Sequence, residues 1–264
     1  MKVAVTGIGL WTPRCVSAAA WAEGERADVE QKPVGLAFDK RNRRRVSALG
    51  RAIGDAVEEA IQMAAVDPVI APVIVGSAIG EASTMIGLLD QMWRTREPMS
   101  PAAFTVSVHN AASGMLSISK RNVGFTTSIA ADHDTPIAVL LEGAAIVVAT
   151  GTAVVVVCAD EASPQSLMGP DAVNWDMLAA AVVLAPTDGA SAAPASRLAE
   201  LELPVQGPAT IAPARCDDLL AGNPQIGLLD LIDAIQRGDT GILALDRGAG
   251  RGSCVELRGG SASR

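Results

Sequence analysis

The feature that most constrains the fold is the run of 17 uncharged residues from 143 to 159. A run of this length is at the lower limit of a membrane span. The segment Ala149–Thr152 interrupts it, however, and Val154–Val157 favours a strand because β-branched side chains suit an extended backbone. We therefore predict a buried helix from Pro136 to about Val148, a turn at Gly151 and a buried strand, and no membrane span.

The chain before and after this run alternates between apolar strands and helices. Strands are predicted at 2–8, 72–78, 125–131, 153–159 and 177–184, and helices at 16–24, 46–65, 83–95, 107–120 and 134–148. This alternation predicts an α/β fold with a mostly parallel sheet and right-handed crossovers. The sequence has no Tyr and only three Phe, and small aliphatic residues suit a sheet that is buried on both faces.

The last third of the chain has fewer regular signals. A helix is predicted at 227–237 and a pair of strands at 241–245 and 253–257. The segment from Pro186 to Pro213 is rich in Ala, Pro and Ser, and we expect a long irregular connection there.

Charge and cysteine content exclude several classes of function. The net charge of −8 argues against a nucleic-acid-binding protein, whose surface would be basic. The cysteines are Cys15, Cys158, Cys216 and Cys254. Because they form no Cys-x-x-Cys pair, we expect no metal site or disulfide framework, and reduced thiols in the cytoplasm. The pair Gly7 and Gly9 lacks the third glycine of a dinucleotide fingerprint, whose place Thr12 takes, so no cofactor is predicted.

Four motifs occur in a characteristic order. Residues 3–13 read Val-Ala-Val-Thr-Gly-Ile-Gly-Leu-Trp-Thr-Pro, and residues 74–81 read Ile-Val-Gly-Ser-Ala-Ile-Gly-Glu. Residues 107–114 read Ser-Val-His-Asn-Ala-Ala-Ser-Gly, and residues 125–135 read Phe-Thr-Thr-Ser-Ile-Ala-Ala-Asp-His-Asp-Thr. Together they resemble the opening strand, the second core strand and the approach to the nucleophile elbow of β-ketoacyl synthases, which are enzymes of the thiolase fold.

A narrower resemblance rests on Ser100-Pro101, Phe104 and residues 107–114, which are similar to the small ketosynthase-like chain-length factors of aryl-polyene-type pathways. The likeness covers residues 2 to about 162. It implies one thiolase-like layered α/β domain over residues 1–264, truncated in its second half, with a well-matched N-terminal half (1–162) and an abbreviated C-terminal half (163–264).

The resemblance also shows what this chain lacks. In the family, the elbow strand ends at a reactive cysteine that opens a buried helix, and two histidines from the second half stabilise the enolate. Here His133 stands at the cysteine position, and residues 132–135 include no thiol. The other histidine of the chain is His109, and none follows residue 133. We therefore predict no catalytic residue, and we interpret His133 as a filler or buried polar residue, with catalysis oriented by Asp132 or Asp134 as the alternative.

The resemblance implies a catalytically inactive chain-length factor that pairs with an active ketosynthase. His109 would be a hydrogen-bonded residue on a helix that faces the partner, with a ligand or proton-transfer role as the alternative. The residues expected at the interface or the acyl tunnel are Phe104, Ser107, Val108, His109, Asn110, Met115 and Leu116.

The basic run of an otherwise acidic chain comprises Lys40, Arg41, Arg43, Arg44 and Arg45. It is either a solvated helix entry or a docking patch for an acidic acyl carrier protein, because basic patches steer acidic partners. Two other functions stay open for the whole chain. One is a structural homodimeric scaffold, and the other is an acyltransferase whose nucleophile is Ser128 or Thr135.

Overall fold

The computed structural model describes residues 1–164, 174–187 and 197–259. The strands are β1 (Lys2–Trp11), β2 (Val73–Gly76), β3 (Thr126–Ile129), β4 (Val154–Asp160), β5 (Leu178–Ala185), β6 (Ala199–Val205), β7 (Gly241–Ala244) and β8 (Cys254–Gly259). The α-helices are α1 (Ala18–Ala22), α2 (Ala48–Ala64), α3 (Ala82–Asp90), α4 (Pro101–Phe104), α5 (Ala111–Lys120), α6 (Thr135–Thr150), α7 (Asp218–Ala221) and α8 (Ile226–Arg237). Short 3₁₀ turns span Asn42–Arg44 and Asp132–Asp134, and a π-helical turn, Gln91–Thr95, extends α3.

The eight strands form one sheet in the order β3-β2-β4-β5-β1-β6-β8-β7. The α/β class is confirmed, but the prediction of a mostly parallel sheet is wrong. Among the strands of the described residues, only β2 pairs in parallel, with β3 and β4, and the other five pairs are antiparallel. The sequence of a strand that is buried on both faces is a continuous apolar run whether the strand is parallel or antiparallel to its neighbour. The direction of the strand therefore depends on the segment that connects it to that neighbour. The chain returns from β4 to its neighbour β5 through residues 161–177, whose described part contains no crossover helix.

Helices cover both faces of the sheet. α2 and α5 pack on one face, and α1, α6 and α8 pack on the other. β4 and β5 lie between these layers, and every residue of both strands is buried. α2 runs directly over β1, because a Cβ on Gly7 would lie 2.2 Å from the Ala60 carbonyl oxygen and one on Gly9 would lie 2.0 Å from that of Ala56. The two glycines therefore serve helix packing.

The apolar run of residues 143–159 folds as predicted. α6 ends at Gly151, whose φ of +69° gives a left-handed cap, and β4 follows. Counted with the preceding turn, Asp132–Thr150 is the one helix of the described residues long and apolar enough to cross a membrane. Core helices of globular proteins have the same properties, and eight residues of α6 are buried against the sheet and its neighbours.

The C-terminal third contains one strand that the sequence did not predict. β6 lies inside the segment 186–213, where we expected an irregular connection, and it pairs with β1 and β8. In β6 the buried residues Ala199, Leu201 and Leu203 alternate with exposed or half-buried ones, which is the pattern of a half-buried strand. The pattern was missed because it is short and lies in a segment rich in Ala, Pro and Ser. Residues 188–196 of that prediction lie outside the described residues. α8, β7 and β8 are confirmed.

Candidate functional site

The elbow predicted from the sequence is a sharp turn between β3 and α6. β3 ends at Ile129, and after the 3₁₀ turn α6 begins at Thr135. Asp132 has a φ of +52°, which is strained for a residue with a side chain. A strained strand-to-helix turn is the geometry that exposes a nucleophile. The strained position is thus Asp132, one residue before His133, and neither residue has a thiol.

Hydrogen bonds of Thr135 hold this turn together. Its Oγ1 accepts a hydrogen bond from the backbone N–H of Ala131 (2.9 Å) and donates one to the carbonyl oxygen of Asp132 (2.7 Å). Thr135 is fully buried, and its methyl group lies against Gly76 at the end of β2. Because both functions of the hydroxyl are used, Thr135 has a structural role and is a poor candidate for a nucleophile.

The glycine-rich segment 246–252 packs against the elbow. Asp246 is buried and shapes the segment, since its carboxylate accepts hydrogen bonds from Gly248 N (2.9 Å) and Gly252 N (2.6 Å). Arg251 N donates to Asp134 Oδ1 (3.0 Å), and a Cβ on Gly250 would lie 2.6 Å from the same oxygen. The carboxylate of Asp134 is therefore engaged with this loop and does not orient His133.

A second acidic group, Asp160, is the last residue of β4 and lies at the same end of the parallel strands β2, β3 and β4 as the elbow. Its buried carboxylate accepts hydrogen bonds from Ser77 Oγ (2.5 Å), Ile79 N (3.1 Å), Ala78 N (3.0 Å) and Gln225 Nε2 (2.7 Å). Burial raises the pKa of Asp160, and these hydrogen bonds partly offset that effect. With its acceptor positions filled, Asp160 joins the turn after β2 to the start of α8. Sequence analysis did not predict this network.

Glu81 is the buried carboxyl closest in sequence to that turn, and it too was not predicted. It lies just before α3, and Ser47 Oγ, the N-cap of α2, donates a hydrogen bond to its Oε1 (2.7 Å). The pKa of Glu81 is raised to about 7, because burial and, to a smaller extent, the charge of Glu161 raise it by more than the Ser47 hydrogen bond lowers it. The group links the starts of α2 and α3.

The cysteines do not form a nucleophilic site. Burial raises the pKa of all four thiols, and the pKa of Cys158 is raised most, well above its ordinary value. Cys158 pairs with Gly76 on the neighbouring strand, beneath the first turn of α6. A thiol that reacts at neutral pH needs a lowered pKa, so Cys158 is unsuited to replace the absent elbow cysteine. Among the described residues, no group of three or more His, Cys, Asp and Glu residues could hold a metal ion.

An open groove of about 490 Å³ lies between the start of α5 and β3. It is lined by His109, Asn110, Ser113, Gly114, Thr126, Thr127 and Ser128. Ser113 Oγ donates to the Asn110 carbonyl oxygen (3.0 Å), so the Ser128 hydroxyl, 3.1 Å away, donates to Ser113. His109 is exposed and rests against the backbone of Gly80; it makes no hydrogen bond to a described residue, contrary to expectation.

The predicted interface residues divide into two sets. Phe104, Val108, His109 and Asn110 are exposed, and Ser107 is half-buried with its hydroxyl donating to the Phe104 carbonyl oxygen (2.9 Å). Met115 and Leu116 are buried in the core between α5, α2 and β2. The expected helix over 107–120 begins only at Ala111, which separates the two sets. His133 is half-buried.

The basic run forms the turn that enters α2. Lys40, Arg41, Arg44 and Arg45 are exposed. Arg43 differs, because its guanidinium donates to the carbonyl oxygens of Gly35 and Phe38, both at 3.1 Å. Four of the five cations are thus exposed at the surface, and the fifth holds the preceding loop.

The model of the β-ketoacyl synthase N-terminal domain family matches residues 18–211, more than half of the chain. A search of the curated proteins finds no match. Solved structures give the fold. A chain in the structure of a ketosynthase (ApeO) in complex with its chain length factor (ApeC) from Xenorhabdus doucetiae superposes with a TM-score of 0.69 at 17% identity, covering 98% of this chain and 99% of that one.

Two further structures are similar over less of their length. The ishigamide ketosynthase/chain length factor gives a TM-score of 0.62 at 15% identity, over 76% of this chain and 66% of that one. A β-ketoacyl synthase from Burkholderia phymatum STM815 gives 0.60 at 13% identity, over 76% and 62%. At these identities the likeness shows the fold, and the predicted thiolase-like layered α/β architecture is confirmed.

Proposed function

The chain belongs to the β-ketoacyl synthase family, and we propose that it acts there as a catalytically inactive chain-length factor that pairs with an active ketosynthase. One observation carries the proposal. The elbow turn keeps its strained geometry at Asp132 but presents Asp132 and His133 where condensation requires a thiolate at a helix N-terminus. The scaffold of the reaction is present without its nucleophile.

The surface beside the elbow supports a partner. β3 ends the sheet on one side, and the groove flanks it. The exposed apolar residues Val108 and Phe125 directly precede two residues that line the groove, and Phe104 is exposed in the short helix α4 before them. An exposed strand edge with apolar neighbours favours pairing with another chain. In the Xenorhabdus doucetiae structure of similar fold, a ketosynthase is in complex with its chain length factor. We infer that β3 and the segment 104–110 meet the ketosynthase.

The same pairing would let this subunit limit acyl length. Phe104 and Val108 are exposed and available to line a tunnel at the interface. Met115 and Leu116 were predicted with them, but their burial in the core of this chain favours a packing role. We therefore assign the wall of the tunnel to the first two residues.

A carrier protein would approach the basic run. Lys40, Arg41, Arg44 and Arg45 project from a chain whose net charge is −8, so they provide a local positive surface for an acidic acyl carrier protein. The setting we propose is polyketide or fatty-acid-type biosynthesis, of the aryl-polyene kind, in the cytoplasm. There the four cysteines, all free in the structure, would stay reduced.

The test compares the chain alone with the chain plus its partner ketosynthase. Alone, it should neither release carbon dioxide from malonyl-carrier protein nor become acylated on Cys158 or Cys254. Together, the two should make a product whose length depends on this subunit. A Cys158→Ala variant is the control. If the wild type released carbon dioxide and this variant did not, the Cys158 thiol would be catalytic and the proposal would be overturned.

A second candidate is acyl transfer from a serine, because Ser128 and His109 line the same groove. Acyl loading of the pure chain that persists in Cys158→Ala and disappears in Ser128→Ala would favour it. The third candidate, a homodimeric scaffold, predicts a stable dimer of the pure chain and no co-purification with a ketosynthase.

A further inference from the structure

A groove of about 440 Å³ lies where α1 meets the C-terminal end of α8. It is lined by Trp21, Arg26, Ala212, Pro213, Arg215, Asp233, Arg237 and Asp239. α1 and α8 cover one face of the sheet, whereas the basic run enters α2 on the opposite face. The groove is therefore separate from the proposed carrier-protein surface.

The floor of the groove is a closed set of ion pairs and hydrogen bonds. The indole N–H of Trp21 donates to Asp233 Oδ1 (2.7 Å), and Arg237 pairs with the other oxygen of Asp233. Arg237 also donates to Asp239 Oδ2 (2.8 Å) and to the Ala212 carbonyl oxygen (2.8 Å). Both carboxylates are thus engaged by Arg237, and neither is left to bind a cation.

The remaining charges of the groove are two arginines. The guanidinium of Arg26 lies over the Trp21 ring, 3.8 Å from its centroid, and Nη1 donates to the Glu25 carbonyl oxygen (2.7 Å). Arg215 comes from the segment before α7. Neither arginine forms an ion pair with a residue in the described ranges. Stacking on Trp21 fixes the direction of Arg26 before any ligand arrives.

We propose that this groove binds a small phosphate-bearing ligand, with Arg26 and Arg215 as the phosphate contacts. Unpaired guanidinium groups match phosphate oxygens in geometry and charge. The groove is within the size range of sites for small organic molecules, so it has room for a group attached to the phosphate. The ligand would be either a free phosphate compound or the phosphopantetheine arm of an acyl carrier that docks on this face instead of at the basic run, and the shared chemistry is the phosphate.

The test is isothermal titration calorimetry of the full chain with inorganic pyrophosphate and, separately, with free 4′-phosphopantetheine. We expect saturable binding at one site for at least one probe, weakened about tenfold or more in Arg26→Gln and in Arg215→Gln. Arg44→Gln is the matched control, because it removes an exposed arginine from the opposite face. Its affinity should equal that of the wild type.

Three results would overturn the proposal. The first is the absence of saturable binding for both probes, and the second is equal affinity of the wild type and the two groove variants. The third is a loss of affinity in Arg44→Gln as large as in the groove variants, which would show only general charge attraction. If binding is confirmed, the two probes identify its source. Phosphopantetheine binding at least tenfold tighter than pyrophosphate would assign the site to the carrier arm, and the reverse order would assign it to a free phosphate compound.

Discussion

The two edges of the sheet are protected in different ways. At one edge, the outer side of β7 is covered by its own chain, because Thr210 N and Ile211 N donate to the Ile242 carbonyl oxygen (2.8 and 3.0 Å) and Ile242 N donates to Thr210 Oγ1 (2.9 Å). At the other edge, β3 pairs with β2 on one side, and no strand of the described chain pairs with its other side. The β7 edge is therefore covered by the chain itself (the closed edge), whereas the β3 edge is uncovered by any described strand (the open edge).

The side chains near the two edges show the same contrast. Next to β7, the outward-facing residues of β8 and β6 form ion pairs, with Arg258 bound to Glu202 (2.8 Å) and Glu256 (3.0 Å). In the segment that leads into β3, Val123 and Phe125 are 81% and 52% exposed. Charges and covering segments are the usual means of preventing strand pairing. Within the described residues, the outer side of β3 has neither a charged residue of its own strand nor a covering strand, as the proposed pairing with a ketosynthase requires.

The largest expected effect is loss of the complex in Ser128→Pro. Along β3, the carbonyl oxygens of Phe125 and Ile129 accept hydrogen bonds from the chain of β2, from Val73 N and Ser77 N. Backbone groups of alternate residues in a parallel strand point to opposite sides, so the N–H of Ser128 points away from β2, to the open side. Proline removes that N–H and is tolerated at the outer side of an edge strand. We expect a folded subunit that no longer co-purifies with its ketosynthase.

Ser128→Ala is the matched control, since it removes the hydroxyl and keeps the N–H. It should pair normally. Complex formation by both variants, with circular dichroism showing both folded, would mean that β3 does not pair across the interface.

Sequence reasoning predicted the strands at both edges, but it did not predict the segment that covers β7. The motif around β3 and the long apolar runs of β4 and β5 carry strong local signals, and these elements are where they were expected. The segment that covers β7 is held by the contact of Thr210 with Ile242, which lies 32 residues further along the chain. β6 shows only a brief alternation of apolar and charged residues, inside a segment rich in Ala and Pro. The Asp160 network and the Trp21 groove likewise join residues more than 60 positions apart, so no local pattern reveals them.

The second prediction separates the open surface from the core beneath it. Met115→Ala should lower the free energy of unfolding by about 2–5 kcal/mol, because the buried side chain leaves a cavity between α5 and α2. Phe104→Ala should change it by less than about 0.5 kcal/mol, because the ring is exposed. In the complex, Phe104→Ala should lengthen the acyl product, as read by mass spectrometry. Unchanged product length with an intact complex would remove Phe104 from the tunnel wall.

The third prediction concerns Glu81, which anchors the start of α3 near the open edge. Its pKa rises from the ordinary 4.5 to about 7, so its contribution to stability is full below pH 4.5 and is lost as the pH rises through about 7. That difference corresponds to about 3 kcal/mol. Urea unfolding should therefore show Glu81→Gln gaining stability over the wild type between pH 4.5 and 8. Glu97→Gln, at an exposed site, is the control, and an equal pH dependence of all three proteins would contradict the prediction.

The smallest expected effect tests the closed edge through Thr210→Val. Valine keeps the shape of threonine but cannot accept the hydrogen bond from Ile242 N, which would cost about 0.5–1.5 kcal/mol in urea unfolding. The backbone bonds from Thr210 N and Ile211 N to Ile242 remain, and so do the ion pairs of β8. The variant should therefore lose a little stability, remain at the wild-type size in sedimentation, and still bind the ketosynthase. New self-association would contradict this expectation. It would show that the Thr210 hydroxyl is required to prevent β7 from pairing with another chain, and that the ion pairs of β8 do not prevent it by themselves.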